Sequence, residues 1–170
     1  MNTAHYHLLV NHFPIILPFI GLLILVGGLI FKSELIKRTA YTIFIAAAFF
    51  SMASMYTGDG AEEVVENIPG VVESSIHTHE EAAELFAILT YVLGSISLVA
   101  FWASLKEKNF AYIFNYILII FTVVVLFFAY RTGSTGGLVR HTELNGTTNT
   151  TNTNTNQESG NPETGKDDDD

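Results

Sequence analysis

Six histidines, His5, His7, His12, His77, His79 and His141, are the residues of this chain best suited to chemistry. Imidazole is a common ligand of metals and of haem iron, and it alone among unperturbed side chains titrates near neutral pH. The chain has no cysteine, which excludes disulfides, thiolate metal sites, covalent c-type haem attachment and cysteine lipid anchors. No His-Glu-x-x-His element is present, so hydrolytic zinc chemistry has no support. Two chemistries remain. Facing imidazoles can hold a b-type haem axially, or three or four of them, with Glu80 or Asp59, can hold a Zn²⁺- or Cu²⁺-like ion.

Whether the histidines can meet depends on the elements that carry them. The chain is 49% hydrophobic, and its apolar residues come in blocks at 8–31, 40–56, 82–105 and 111–130. About 20 apolar residues span a bilayer core, so each block reads as a transmembrane helix. Glu84 is the only acidic or basic residue inside them. Buried helices of a water-soluble bundle would need polar faces that these blocks lack. The expectation is an all-α, four-helix transmembrane bundle over residues 1–142, with an acidic outer loop. A disordered tail rich in Asn, Thr and Asp follows over residues 143–170, too poor in apolar groups to order itself.

Orientation follows from the basic residues. Lys32, Lys37 and Arg38 follow the first block, and Lys106 and Lys108 follow the third. The segment from 57 to 80 has no Lys or Arg but carries Asp59, Glu62, Glu63, Glu66, Glu73 and Glu80. Arg131 and Arg140 mildly oppose the pattern. The expected orientation has both termini outside and every histidine at the outer side of the membrane. The first block lacks a positive n-region and reads as a retained helix rather than a cleaved leader. The net charge of −9 gives no footing for nucleic acid.

Local signals refine the picture. Pro14 and Pro18 strip donors from the first helix and predict a kink near His12. Gly58 and Gly60 are expected to end the second helix, with a short lid helix after them that stops at Pro69. Thr78 and Glu81 fit a capping box opening the third helix, and Glu84, entering the hydrocarbon, should face the bundle interior. Gly133, Gly136 and Gly137 after the fourth helix permit close approach to a neighbour or ligand, and a fold-back of Leu138 and Val139 would deliver His141 to the group. Asn115 is expected to bond to a neighbouring helix.

The segment HLLVNHFPI at 7–15, a histidine opening the third helix, and GGLVRH after the fourth resemble the bacterial membrane family catalogued as domain of unknown function 2231. Its members carry an N-terminal His-x-x-x-x-His-Phe-Pro pattern, a third-helix histidine and a Gly-Gly-x-Leu-Val-Tyr-x-His end. The likeness covers about residues 5–142 and by position picks out His7, His12, His79 (or His77) and His141. Leu8 stands where proline is usual, and Arg140 replaces the tyrosine, with a shorter spacing from the glycines to His141. The resemblance implies four helices with an outer-side polar cluster, in membrane proteins of a redox or haem-associated kind.

Two functional expectations follow, neither involving an independent enzymatic activity. In one, His12 and His79 ligate haem b for electron transfer with a periplasmic or membrane redox protein. His7 and His141 are the next candidates, and Met52 or Met55 a weaker axial choice. Phe13, Phe86 and Tyr56 would line the slot, and Arg131 would meet a propionate. A transition metal held by His12, His79, His7, His141 and Glu80 is the variant of this reading. The other expectation is a subunit that binds no cofactor and docks a partner protein through the acidic loop. Membrane-embedded charges are too few for a transporter or proton pump.

Overall fold

The computed structural model describes residues 3–66, 71–107 and 111–140. Regular structure among them is all helical: α1 (Thr3–Val10), α2 (Phe13–Ile30), α3 (Glu34–Glu66), α4 (Glu73–Leu105) and α5 (Ala111–Arg140). With α1 and α2 taken as one broken span, four helices are long and apolar enough to cross a membrane. The tail and His141 lie outside the described residues, as do Pro69 and Gly70.

The break at Asn11–His12 is where the prolines predict it. Pro14 cannot donate to the Val10 carbonyl. It sits instead in the first turn of α2, where a missing N–H is no loss.

Each helix turns a seam inward whose positions are spaced alternately by three and four residues. On α2 the seam is Pro14, Pro18, Gly21, Leu25 and Gly28; on α5 it is Asn115, Leu118, Thr122, Val125, Ala129 and Thr132. Such spacing gives left-handed, nearly aligned packing. Many seam residues are small, while Phe19, Leu23, Phe49, Leu98, Ile120 and Phe127 are exposed. Large apolar groups outside and small ones inside is the partition expected in lipid, where packing rather than water exclusion joins helices. Hydroxyls in the seam satisfy themselves: Thr90, Ser97 and Thr122 each donate to the carbonyl four residues back. As expected, Asn115 bonds across helices, accepting from the Tyr41 hydroxyl.

Packing runs around a ring: α3 against α2 and α4, α5 against α4 and α2, with α1 on α3. The α1–α2 corner is therefore diagonal to α4. At one end lie the basic turns. Ser33 N–H reaches the Gly28 carbonyl and Lys32 N–H that of Leu29, a Schellman closure that puts Lys32 at φ 51°. Arg38 then ties α3 to α4, its Nε donating to Ser104 Oγ at 2.9 Å and Nη2 to the Ser104 carbonyl at 2.8 Å.

The opposite, histidine end departs from several sequence expectations. The second helix does not stop at Gly58 and Gly60; α3 runs through both to Glu66. The lid helix is its last turns. Helix α4 starts at Glu73 after an extended Val72, so Thr78 lies inside it and bonds the Ser74 carbonyl rather than capping. A first-turn Glu73 already complements the helix dipole. Helix α5 likewise continues through Gly133, Gly136 and Gly137 to Arg140, so Leu138 and Val139 do not fold back. Glycine in a helix costs only about 1 kcal/mol, less than these neighbouring helices return in contact. Glu84 is exposed rather than interior, since Phe86 and Ala87 take the inward face.

Helices α3 and α4 have 33 residues each, about 50 Å at 1.5 Å per residue, against about 30 Å of hydrocarbon. The surplus, 57–66 and 73–81, stands beyond the apolar blocks together with the first turn of α1, through His7, and the last turns of α5. It forms a collar at the histidine end.

Close helix approach predicts a sharp contrast between glycines. A Cβ on Gly94 would lie 2.5 Å from the Ala48 methyl, whereas one on Gly27 meets nothing within 4 Å. The Ala48 methyl cannot swing aside, so Gly94→Ala should cost about 1–3 kcal/mol through overpacking. Gly27→Ala should be neutral or stabilising by up to about 1 kcal/mol. Denaturant unfolding in detergent checks this; equal stabilities for the two variants would refute the close α3–α4 approach.

Candidate functional site

Two of the five described histidines turn into the collar, and each is braced by the helix beside it. His7 on α1 places Nδ1 3.1 Å from the Ser54 carbonyl and 3.3 Å from Thr57 Oγ1, both on α3. His79 on α4 places Nδ1 3.1 Å from Thr135 Oγ1 on α5. The two rings thus hang from diagonal corners of the bundle, within electrostatic reach of each other.

Proton accounting points to one tautomer at both rings. A carbonyl only accepts, so the Ser54 contact makes His7 Nδ1 a donor. Thr57 is within reach of the Ala53 and Ser54 carbonyls for its own hydroxyl proton and then accepts from His7. Thr135 is 3.0 Å from the Thr132 carbonyl; with its hydroxyl proton there, its oxygen accepts from His79 Nδ1. In that arrangement each imidazole carries its proton on Nδ1 and leaves Nε2 as the acceptor. This is the arrangement in which metal-bound histidines are usually held, with the far nitrogen donating to a backbone or side-chain oxygen.

Both rings stand in the collar, outside the apolar blocks, and are half-buried or more. Burial pushes the His79 pKa down, the neighbouring His7 ring adds to this, and the Thr132 carbonyl opposes it. Burial also lowers the His7 pKa, against a smaller opposing effect of the Ser54 carbonyl. Neutral, ligand-ready imidazoles are the result.

Small residues make room for the rings. The Cβ that Gly136 lacks would lie 3.0 Å from His79 Cε1, and that of Gly58 3.7 Å from His7 Cε1. Thr132 closes the floor by donating to the Ala82 carbonyl at 2.9 Å. Below His7, Asn11 follows four residues later, its N–H on the His7 carbonyl at 2.9 Å. It therefore shares the face of His7. Its Oδ1 is fully buried and has no hydrogen-bond partner among the described residues.

The other candidates fall elsewhere. His12 is exposed, with Nδ1 turned back to the Leu8 carbonyl at 3.1 Å. The spacing argument favouring it assumed a continuous helix, and the break at Asn11–His12 carries it off the inward face. Glu80, Arg131, His5 and His77 are exposed; His77 faces Glu81 at 3.6 Å. Met52 and Tyr56 point outward, at 60% and 85% exposure, and only Phe86 of the expected haem-slot aromatics is buried. Phe13 stacks on Phe50 at 4.6 Å instead. Among the described residues no three His, Asp or Glu side chains converge as a metal-ligand group.

Sequence reasoning missed Ser54, Thr57, Thr132 and Thr135 as braces. Ending the second helix at Tyr56 and the fourth at Tyr130 placed all but Ser54 in loops, where helical spacing carries no meaning. The expected close approach at Gly136 is present, with His79 as the group approached. No protein-family model matches this chain, and no curated protein or solved structure is similar to it.

Long-range ¹H–¹⁵N spectra of the imidazoles, recorded on the full chain in detergent, should show His7 and His79 as Nδ1–H tautomers. Gly136→Ala forces the ring of His79 to move and should shift its signals. Gly58→Ala makes ordinary van der Waals contact and should leave His7 unchanged. An Nε2–H tautomer at either ring would refute the brace.

Proposed function

We propose that this chain is a multi-pass protein of the bacterial inner membrane, with the histidine end outside, that holds a transition-metal ion between His7 and His79. The observation that carries this reading is the pair of braced, neutral imidazoles with bare Nε2 atoms on diagonal helices. The excess of basic residues at the opposite end supports the orientation. The resemblance to the family of domain of unknown function 2231 agrees with a polar site at the outer side.

A b-type haem on the same two nitrogens is the competing occupant, and the surroundings suit it less well. Arg131, expected at a propionate, is exposed, as are Met52 and Tyr56. Gly136 packs directly on the ring of His79. Clefts of ≈ 370 Å³ beside Glu66, Val71, Glu73 and Ile76 and of ≈ 320 Å³ at the basic end, beside Arg38 and Tyr112, lie away from the two rings. A small ion needs only the donors; a macrocycle needs a slot. We therefore place the ion first, with electron transfer to a periplasmic or membrane redox partner as the function that a redox-active ion would serve.

The full chain, expressed with ample haem and purified in detergent, should contain or take up about one equivalent of Zn²⁺ or Cu²⁺. His7→Ala and His79→Ala should abolish tight binding, and His12→Ala should not. A Soret band lost in the same two variants would replace the ion with haem. A colourless protein that takes up no metal would end both readings.

Binding also has a sign with pH. The neutral ring is the ligand, and both pKa values are held below the ordinary imidazole value of about 6.5. Affinity should be flat down to about that pH and fall only below it. A competition titration from pH 8 to 5 checks this; half-loss above pH 7 would contradict it.

A further inference from the structure

Asn11 is the one buried side-chain atom without a partner among the described residues. A buried amide oxygen without a partner is costly, and the described residues supply none. The position narrows what that is. Asn11 lies one helical turn below His7 on the same face of α1, held there by its N–H bond to the His7 carbonyl. The rings of His7 and His79 lie within electrostatic reach of each other at the same end of the bundle. Two imidazole nitrogens and an amide oxygen offer lone pairs there, and lone pairs of this kind are complementary to a cation.

From the orphaned Oδ1 of Asn11, one helical turn from His7, we infer that Asn11 is the third ligand, with His7 and His79, of a two-nitrogen, one-oxygen site for a divalent transition cation. The inference rests on the metal reading above and adds the donor that sets its class. Two imidazoles and an amide oxygen suit Zn²⁺, Cu²⁺ or Co²⁺, which accept nitrogen readily. They do not suit Ca²⁺ or Mg²⁺, which call for oxygen ligands throughout. Three protein ligands leave a fourth tetrahedral position open toward the collar for water or an exchangeable anion. All three ligands are neutral, so the ion keeps its full charge.

The break that Pro14 imposes on the first helix serves this donor set. A straight α1–α2 would continue its hydrogen-bond ladder through residues 11 and 12. The break frees the Asn11 side chain from a helix interior and leaves it beneath His7, while His12 is carried to the surface. The chain thus gives up one histidine and keeps an amide. That choice makes sense for a site built from neutral donors of mixed type.

Co²⁺ is the probe, because its visible d–d bands report both the number and the kind of its ligands. The full chain in detergent is titrated with Co²⁺ and then with Zn²⁺ in competition, as wild type, His7→Ala, His12→Ala, Asn11→Ala and Asn11→Asp. The expected results are one bound Co²⁺ in wild type, loss in His7→Ala, and no change in His12→Ala. Asn11→Ala should weaken binding at least about tenfold, the order of loss when a group supporting a metal site is removed. Asn11→Asp should tighten binding and shift the bands, because it offers the ion a charged oxygen at the same place. A purely structural role gives the opposite sign, since an unpaired buried carboxylate would loosen the site. Should Asn11→Ala fail to fold, Asn11→Asp decides alone: tightening supports ligation and weakening overturns it. Wild-type binding by Asn11→Ala alongside loss in His7→Ala would overturn the role of Asn11 and leave the histidine pair standing. Binding unaffected in His7→Ala as well would overturn the metal reading beneath it.

Discussion

A hydrocarbon layer offers no water to an unpaired polar group, and that constraint organises the rest of this molecule. Every backbone N–H and C=O at membrane depth must be satisfied within the chain, so four helical spans, the first broken at Asn11–His12, are the natural outcome of four apolar blocks. Hydroxyls that enter the seam turn back on their own helix, as Thr90, Ser97 and Thr122 do. Asn115, which has no local solution as good, is met by Tyr41 from across the bundle. Since lipid tails already solvate large apolar side chains, the seam gains by letting backbones approach. Gly94 against Ala48 and Gly21 against Phe44 are where that approach is tightest.

The collar at the histidine end escapes this constraint and uses its hydrogen bonds differently. Beyond the apolar blocks the helices run on although water would satisfy loops there, and the glycines that would favour a turn are instead points of contact. Gly58 meets the ring of His7 and Gly136 that of His79. Each ring is held by the helix next to the one that carries it, His7 by α3 and His79 by α5. The braces therefore join the helices in pairs as well as setting the tautomers. Both consequences come from the same few oxygen atoms, those of Ser54, Thr57 and Thr135.

Much of this was legible in the sequence, and the reasons for the rest are specific. Spans, helix break and the role of Asn115 follow from hydropathy, from Pro14 and from the cost of a buried amide, all of which are local. That four helices gather histidines at one end follows from antiparallel order alone. Which histidine faces inward does not. His7 and His12 are five residues apart, and their relative direction depends on the geometry of the break between them, which the sequence locates without orienting. The helix ends failed for a related reason. Gly58, Gly60, Gly133 and Thr78 carry real local preferences for turns and caps, but these amount to about 1 kcal/mol each. Packing against α1, α3 and α5 outweighs that, and packing cannot be read from one segment at a time. Thr135 left no signal because the reading had already ended its helix at Tyr130.

The two ends of the bundle are built on opposite principles. At the basic end charges and donors are matched internally: Arg38 is spent on both oxygens of Ser104, and Lys37 pairs with Glu34, which also accepts from the Ser104 hydroxyl. These interactions explain how α3 and α4 are held together there without calling on anything else. The histidine end is matched only in its donors. The protons of His7 Nδ1, His79 Nδ1, Thr57, Thr132 and Thr135 all reach oxygen atoms within the chain. What remains is a surplus of acceptors, two imidazole nitrogens and an amide oxygen, in a setting too enclosed for all of them to be treated as surface. A fold that merely needed stability could have placed leucine or alanine at these positions and avoided the cost of burying polar groups. The asymmetry between an end that completes its own bonding and an end that leaves lone pairs open is the physical reason to seek function at the histidine end and structure at the other.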